Sequence, residues 1–502
     1  MAAPKFTPLD PTDRPRTYSS PEHVPSPWRN DKPAAIVARQ PKGQKLGYQG
    51  PDQGYALKLA EGLRDSIVLQ PGESADDAIR GAIAIALRRA SRFGRAPVIH
   101  DLTVAFGIWG FMLLDPPADL VARPKNAHCI QAENLHVSVG WFDPHVSFGE
   151  PGFEERETLA NGLLVAAKSG FTALGINPNT DPVIDSHSDI SHLHKMGATF
   201  LTNVHPIGCL TSLAKGAKMA SLYDMHLAGA MAFGDYKSAI QNANLLKIAL
   251  EYAQSFDGVI MSHPSNSDLE QHGVVHEGVT STRLGLKGMP RIAESVQVAR
   301  DLELLKYTEG RLHIPFISTK ESVHLIQKAK ADGLRVSCSV GLPHLYFDDR
   351  KIENFEAQYK FFPPLRTPED QSALREGLLN GTIDMVSAMH EPINIEYKEL
   401  EFEYAAAGSI GLEACFGILN SVFPIEKTIA FLTRGRRCFG LELPQIKEGA
   451  PANLCCFDPD THTTLTKAQL TSTSKNCAYL GESLTGRVLA TINSDKMQLN
   501  NG

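Results

Sequence analysis

The feature that most constrains this chain is a recurring alternation. From about Asn126 to about residue 390, short apolar runs alternate with stretches of helical periodicity. The runs are GLLVAAKSGFTALGI, ATFLTNVHPIG, FDGVIMSHP, RLHIPFIST, LRVSCSVG and GTIDMVSAM, each bounded by Gly, Pro, Asn or His. After Thr319, for example, SVHLIQKAKADG carries apolar residues at helical spacing. A chain of β-then-α units buries its strands when they lie parallel under a layer of helices. About eight such units fit between residues 140 and 390, the size of a closed (β/α)8 barrel. After residue 440, KEGAPANLCCFDPD and GRVLATINSD read as strands of a small β subdomain.

The flanking sequence has a different texture. Residues 1–50 are rich in Pro, Lys, Arg and Asp without apolar periodicity, and are expected to be extended or disordered. Residues 51–127 read as a small helical module. Ser74 and Asp77 resemble a capping box, Ile79, Ile83 and Leu87 recur at helical spacing, and Gly94 is placed to end that helix. A second apolar segment, Val98 to Leu114, is stopped by Pro116 and Pro117. The expected division is therefore 1–50, a module over 51–127, a barrel over 128–440 and a β subdomain over 441–502.

Composition then excludes several classes of function. The net charge of -7 gives no electrostatic pull toward nucleic acid or anionic membrane. The apolar stretch Thr103 to Leu114 is too short to span a bilayer. The opening MAAPKFTPLDPTDRPR has no apolar h-region, so no signal peptide is expected. The 8 cysteines, among them Cys455 and Cys456, form no CxxC pair and suit buried thiols in a reducing cytosol. A cytoplasmic protein is expected.

In such a barrel, chemistry sits at the C-terminal strand ends. The first unit ends in Asp143-Pro144-His145-Val146-Ser147-Phe148-Gly149 followed by Glu150-Pro151-Gly152. This resembles the dihydroorotase signature Asp-x-His-x-His-x-Arg before Glu-Pro-Gly. Histidines at i and i+2 on a strand end point the same way and can grip a divalent metal, and the arginine offers a fork to a substrate carboxylate. Further segments resemble the family in order. They are Pro178-Asn179-Thr180-Asp181-Pro182, Gly229 to Asp235, Met261-Ser262-His263-Pro264, His313 to Thr319, Pro363-Pro364-Leu365-Arg366, His390-Glu391-Pro392 and Gly408 to Glu413. The resemblance covers roughly residues 128 to 498. It implies a metal-dependent cyclic amidohydrolase with His145, Asp235 and His263 as metal ligands and Asn179 on substrate.

The departures from the pattern are as informative. The second histidine of the first-strand pair is Ser147, and the substrate arginine is Gly149. The sixth-strand histidine is Phe316, and the asparagine before Pro-Pro-Leu-Arg is Phe362. The aspartate that in the family ligates metal and shuttles the proton is Met389. A catalytic zinc needs three protein ligands and a water position, so two imidazoles and one carboxylate leave each half of a binuclear site short.

The expectation is a degenerate metal site without cofactor, with zinc as the ion if the site functions. Each remnant also has a plainer reading: a hydrogen-bonded core histidine for His145, a loop turn for Asp235, packing for His263. His192 and His194 fall in a helix, where i and i+2 face apart. Degenerate chains of this family associate with aspartate transcarbamoylase, so the resemblance implies a scaffold role there, together with homo-oligomers. The competing reading is an active cyclic-amide hydrolase that recruits His344 or His390.

Overall fold

The computed structural model describes residue 130 and residues 134–447 and 450–500. The expectations for residues 1–50 and for the module at 51–127 fall outside the described residues.

Strand β1 (His136–Val139) is followed by β2 (Trp141–Val146), helix α1 (Leu159–Lys168), β3 (Phe171–Ile176), α2 (His187–Gly197), β4 (Asn203–Gly208), α3 (Leu222–Leu227) and β5 (Ala232–Phe233). Next come α4 (Ala243–Ala253), β6 (Ile260–Met261), the short pair β7 (Val275–His276) and β8 (Gly288–Met289), α5 (Ile292–Thr308), β9 (Leu312–Ile314), α6 (Lys320–Ala331) and β10 (Val336–Gly341). The chain ends with α7 (Pro368–Asn380), β11 (Met385–Ser387), α8 (Leu412–Val422), α9 (Ile425–Thr433), β12 (Asn453–Thr464), β13 (Ser483–Asn493) and β14 (Lys496–Leu499). Eight strands pair in the order β2-β3-β4-β5-β6-β9-β10-β11, and every pair is parallel. This is the expected (β/α)8 barrel.

Local sequence sets the helix starts. Thr319, the cap of α6, accepts a hydrogen bond from Ser322 N, and Ser186 with Asp189 and Thr367 with Asp370 form capping boxes on α2 and α7. Gly381 ends α7 at φ 85°, a backbone that disfavours any side chain. The helix expected after Thr319 is α6.

One buried carboxylate takes part in closing the barrel. Asp143 accepts from His145 N at 3.0 Å on its own strand and from Ala388 N at 2.7 Å beyond β11. Ser147 N donates to His390 O at 2.9 Å across the same seam. Burial pushes the Asp143 carboxyl up to about 6, against the pull of these N–H groups. The barrel floor is plugged by Arg436, which donates to Thr172 Oγ1 at 2.9 Å and lies over the Phe142 ring.

A second sheet runs β1-β12-β13-β14, antiparallel throughout. The β subdomain therefore takes residues from both ends of the barrel. The expected boundary at 441 is corrected by β1, which pairs His136 with Phe457 and Val139 with Leu454. Trp141 fills the junction, its ring meeting those of Phe171, Phe416 and Phe457. The arginine of the Pro-Pro-Leu-Arg segment is structural. Arg366 is buried, donates to Ser318 Oγ at 3.0 Å and Met289 O at 3.1 Å, and lies 3.8 Å from the buried Glu294. No described helix is long and apolar enough to cross a membrane.

Asp143→Ala should lower the unfolding free energy by about 2–5 kcal/mol, because two buried N–H groups lose their acceptor. Asp143→Asn keeps one acceptor and should lose less; urea unfolding measures both. Burial also lowers the His205 and His276 imidazoles to about 4 each. The unfolded chain then binds protons more readily, so this stabilisation is present above the unfolded value of about 6.5 and is lost as pH falls toward 4. Between pH 7 and 5, wild-type protein should lose about 4 kcal/mol more than the His205→Gln/His276→Gln variant, roughly 2 kcal/mol per histidine, since the slope of about 1.4 kcal/mol per pH unit is reached only below about 6.5. Equal losses in urea titrations at the two pH values would contradict this.

Candidate functional site

The barrel mouth is built from strand ends. At the end of β2, the His145 and His313 Nε2 atoms lie 3.0 Å apart. One ring must donate and the other accept, so His145 Nε2 is committed. His313, on β9, also lies 2.9 Å from Ser337 Oγ through Nδ1. Burial holds both imidazoles neutral, His313 lowered to about 3 and His145 well below the usual range. Ser147 accepts from Asn177 Nδ2 at 3.1 Å. Gly149 has no room for the family's arginine, since an added Cβ would sit 1.8 Å from Phe153 O.

The remaining positions carry rings and sulfur. Phe316, past β9, packs edge-on against His145 with centroids 4.9 Å apart. Met389 fills the space above Gly341, where an added Cβ would meet Sδ at 2.0 Å. His263, past β6, stacks on Phe362 at 5.2 Å and is lowered to about 3 by burial. Asp235, past β5, accepts from Thr211 N at 2.9 Å and from the Thr211 hydroxyl, and burial raises its carboxyl. Asn179, in the loop after β3, has its buried Oδ1 unpartnered. Phe316, Met389 and Tyr236 all have left-handed backbone, at φ 54°, 50° and 54°. Such strain costs about 1–3 kcal/mol each and collects at sites that aim side chains inward.

The structure therefore does not bring the three expected ligands together. It places His145 on His313, Asp235 on Thr211 and His263 on Phe362. Of the recruits considered above, His390 Nδ1 accepts from Gly411 N and Leu412 N at the start of α8, and His344 Nε2 lies 3.0 Å from Pro363 O. His192 is exposed, and His194 Nε2 lies 3.1 Å from Gly229 O. Among the described residues no three His, Cys, Asp or Glu side chains converge as a metal cluster. This donor set does not fit a binuclear dication centre.

Sequence reasoning passed over four residues. His313 stands directly before the apolar run Ile314-Pro315-Phe316-Ile317, a polar group in a buried strand. Tyr236, Lys237 and Glu391 directly follow Asp235 and His390. The Lys237 ammonium lies 2.6 Å from Glu391 Oε2.

A family model for dihydro-orotase-like proteins matches residues 136–322. The dihydroorotase of Pelotomaculum thermopropionicum is 38% identical over 373 residues, covering 73% of this chain and 87% of its own. That of Geotalea daltonii is 37% identical over 382 residues, covering 74% and 90%. Among solved structures, the L-hydantoinase of Arthrobacter aurescens aligns with TM-score 0.64 at 21% identity, covering 73% of this chain and 86% of that one. A D-hydantoinase aligns with TM-score 0.63 at 18% identity, covering 75% and 88%. The hydantoinase likeness is one of fold. With relatives above one third identical along nearly their whole length, the chain belongs to the dihydroorotase-like amidohydrolases.

Proposed function

We propose that this protein serves de novo pyrimidine biosynthesis as a non-catalytic dihydroorotase-like scaffold, assembling with aspartate transcarbamoylase and with copies of itself in the cytoplasm. One observation carries the reading. The strand-end positions from which the family binds two metals hold Ser147, Phe316 and Met389, while His145 and Asp235 are spent on protein partners. A dication there would sit among a phenyl ring and a thioether, at a desolvation cost that the remaining donors do not offset. The closed loop at Gly149 also removes the place of the carboxylate-binding arginine.

A second reading keeps cyclic-amide hydrolysis on one zinc ion. It is favoured by the unpartnered Nδ1 atoms of His263 and His344, both buried near the mouth. In that reading His263 holds the metal.

The scaffold reading predicts less than about 0.1 equivalents of zinc in purified protein. It predicts no hydrolysis of dihydroorotate with added zinc or manganese, and stable co-purification with aspartate transcarbamoylase at micromolar concentration. Stoichiometric metal, with turnover abolished in His263→Ala, would instead establish the hydrolase. Absence of any complex with the transcarbamoylase would remove the scaffold.

A further inference from the structure

The mouth holds one charged pair that neither the fold nor the lost chemistry accounts for. Lys237 follows β5, the fourth barrel strand, and Glu391 follows β11, the eighth. In a ring of eight, these strands face each other across the opening. The pair meets at 2.6 Å with side chains only 14% and 19% exposed. Beside it, the Lys237 ammonium lies 5.2 Å from the centroid of the Tyr236 ring. The pair thus links the ends of two opposite strands, with the phenol ring alongside. Lys237 follows Asp235 by two residues and Glu391 follows Met389 by two, and both Asp235 and Met389 occupy metal-ligand positions of the family pattern.

The surroundings are shaped to this pair. Gly408 lies so close that an added Cβ would be 2.5 Å from Glu391 Oε2. Tyr236 adopts a left-handed backbone at φ 54°, a conformation a bulky side chain rarely takes. The groups facing the ammonium are His263, His344, Lys398 and Glu391, and the first three all feel its positive charge. Glu391 is the partner that offsets it.

We propose that the Lys237 ammonium is a resident cation standing in for the family's metal. With Glu391 and Tyr236 it forms the strut that ties opposite sides of the mouth. A divalent ion bridging strand ends draws carboxylates and imidazoles together; an ammonium can hold a carboxylate and lie against a phenol ring without requiring further ligands. The inference rests on the metal-free reading above.

The test is thermal unfolding of the full chain, with and without EDTA. Removing one partner strands the other charge in a largely buried site, so Lys237→Met and Glu391→Gln should each lower Tm by on the order of 5 °C or more. The double variant Lys237→Met/Glu391→Leu should lose clearly less than the sum, because neither charge is then unpaired. Lys237→Arg should recover at least half of the loss, a charge-specific rescue that loss of packing alone would not give. Tm changes under 1 °C for both single variants, additive losses, or no rescue by arginine would overturn the strut. If a single variant does not fold, the comparison of Lys237→Arg with the double variant reads the same coupling. EDTA should leave the wild-type Tm unchanged. Should EDTA strip a stoichiometric metal and lower Tm, the metal-free reading fails, and the variants measured in EDTA still report on Lys237 separately.

Discussion

A parallel sheet of eight strands has two edges, and the whole mouth of this protein depends on how they are joined. The seam between β2 and β11 has few direct backbone bonds. Asp143 supplies the missing acceptor by reaching from one edge to the Ala388 amide of the other while holding the His145 amide. That single buried carboxylate sets where β2 ends, and so sets where His145, Ser147 and Gly149 lie. Its place in the Asp-x-His pattern is thus a matter of architecture. It belongs to the scaffold, which explains how it can persist beside positions that carry no metal-binding group.

The same separation of scaffold from chemistry runs around the ring. Phe316 and Met389 sit on left-handed backbone, a conformation that neither side chain favours. The backbone is held there by its neighbours, as when Ser339 Oγ accepts from Phe316 N at 3.3 Å and Ser387 Oγ from Met389 N at 3.1 Å. The strained backbone here carries a ring and a thioether. Both then pack against each other's surroundings and against imidazoles kept neutral by burial. Some polar atoms at these positions have protein partners: His145 Nε2 meets His313 and the Asp235 carboxylate accepts from Thr211.

Buried charge in the mouth follows the usual requirement that it be paired. Lys237 and Glu391 satisfy each other across the opening, and Lys398 donates to the carbonyls of Ala406 and Gly408. Deeper in the fold, Glu294 collects the amides of Ser318 and Thr319 beside Arg366. These networks pair the buried charges, while neutral imidazole nitrogens of His145, His263 and His344 are left without a partner.

The sequence by itself determined the β-then-α alternation, and hence the barrel, the helix after Thr319 and the identity of the departures at positions 147, 149, 316, 362 and 389. All of these are local in the chain: periodicity, capping residues and motif spacing act within a few turns or one strand. Tertiary structure alone decided what the retained residues do. Asp235 looks the same in the sequence whether its carboxylate faces a metal or Thr211, and only the path of the 209–219 loop settles that. The His145–His313 contact joins residues 168 apart, and the Lys237–Glu391 pair joins residues 154 apart. β1 belongs to the small sheet because β12 returns from the far end of the chain to pair with it. Contacts of that range exist only once the barrel has closed, since closure is what brings opposite strand ends within hydrogen-bonding distance.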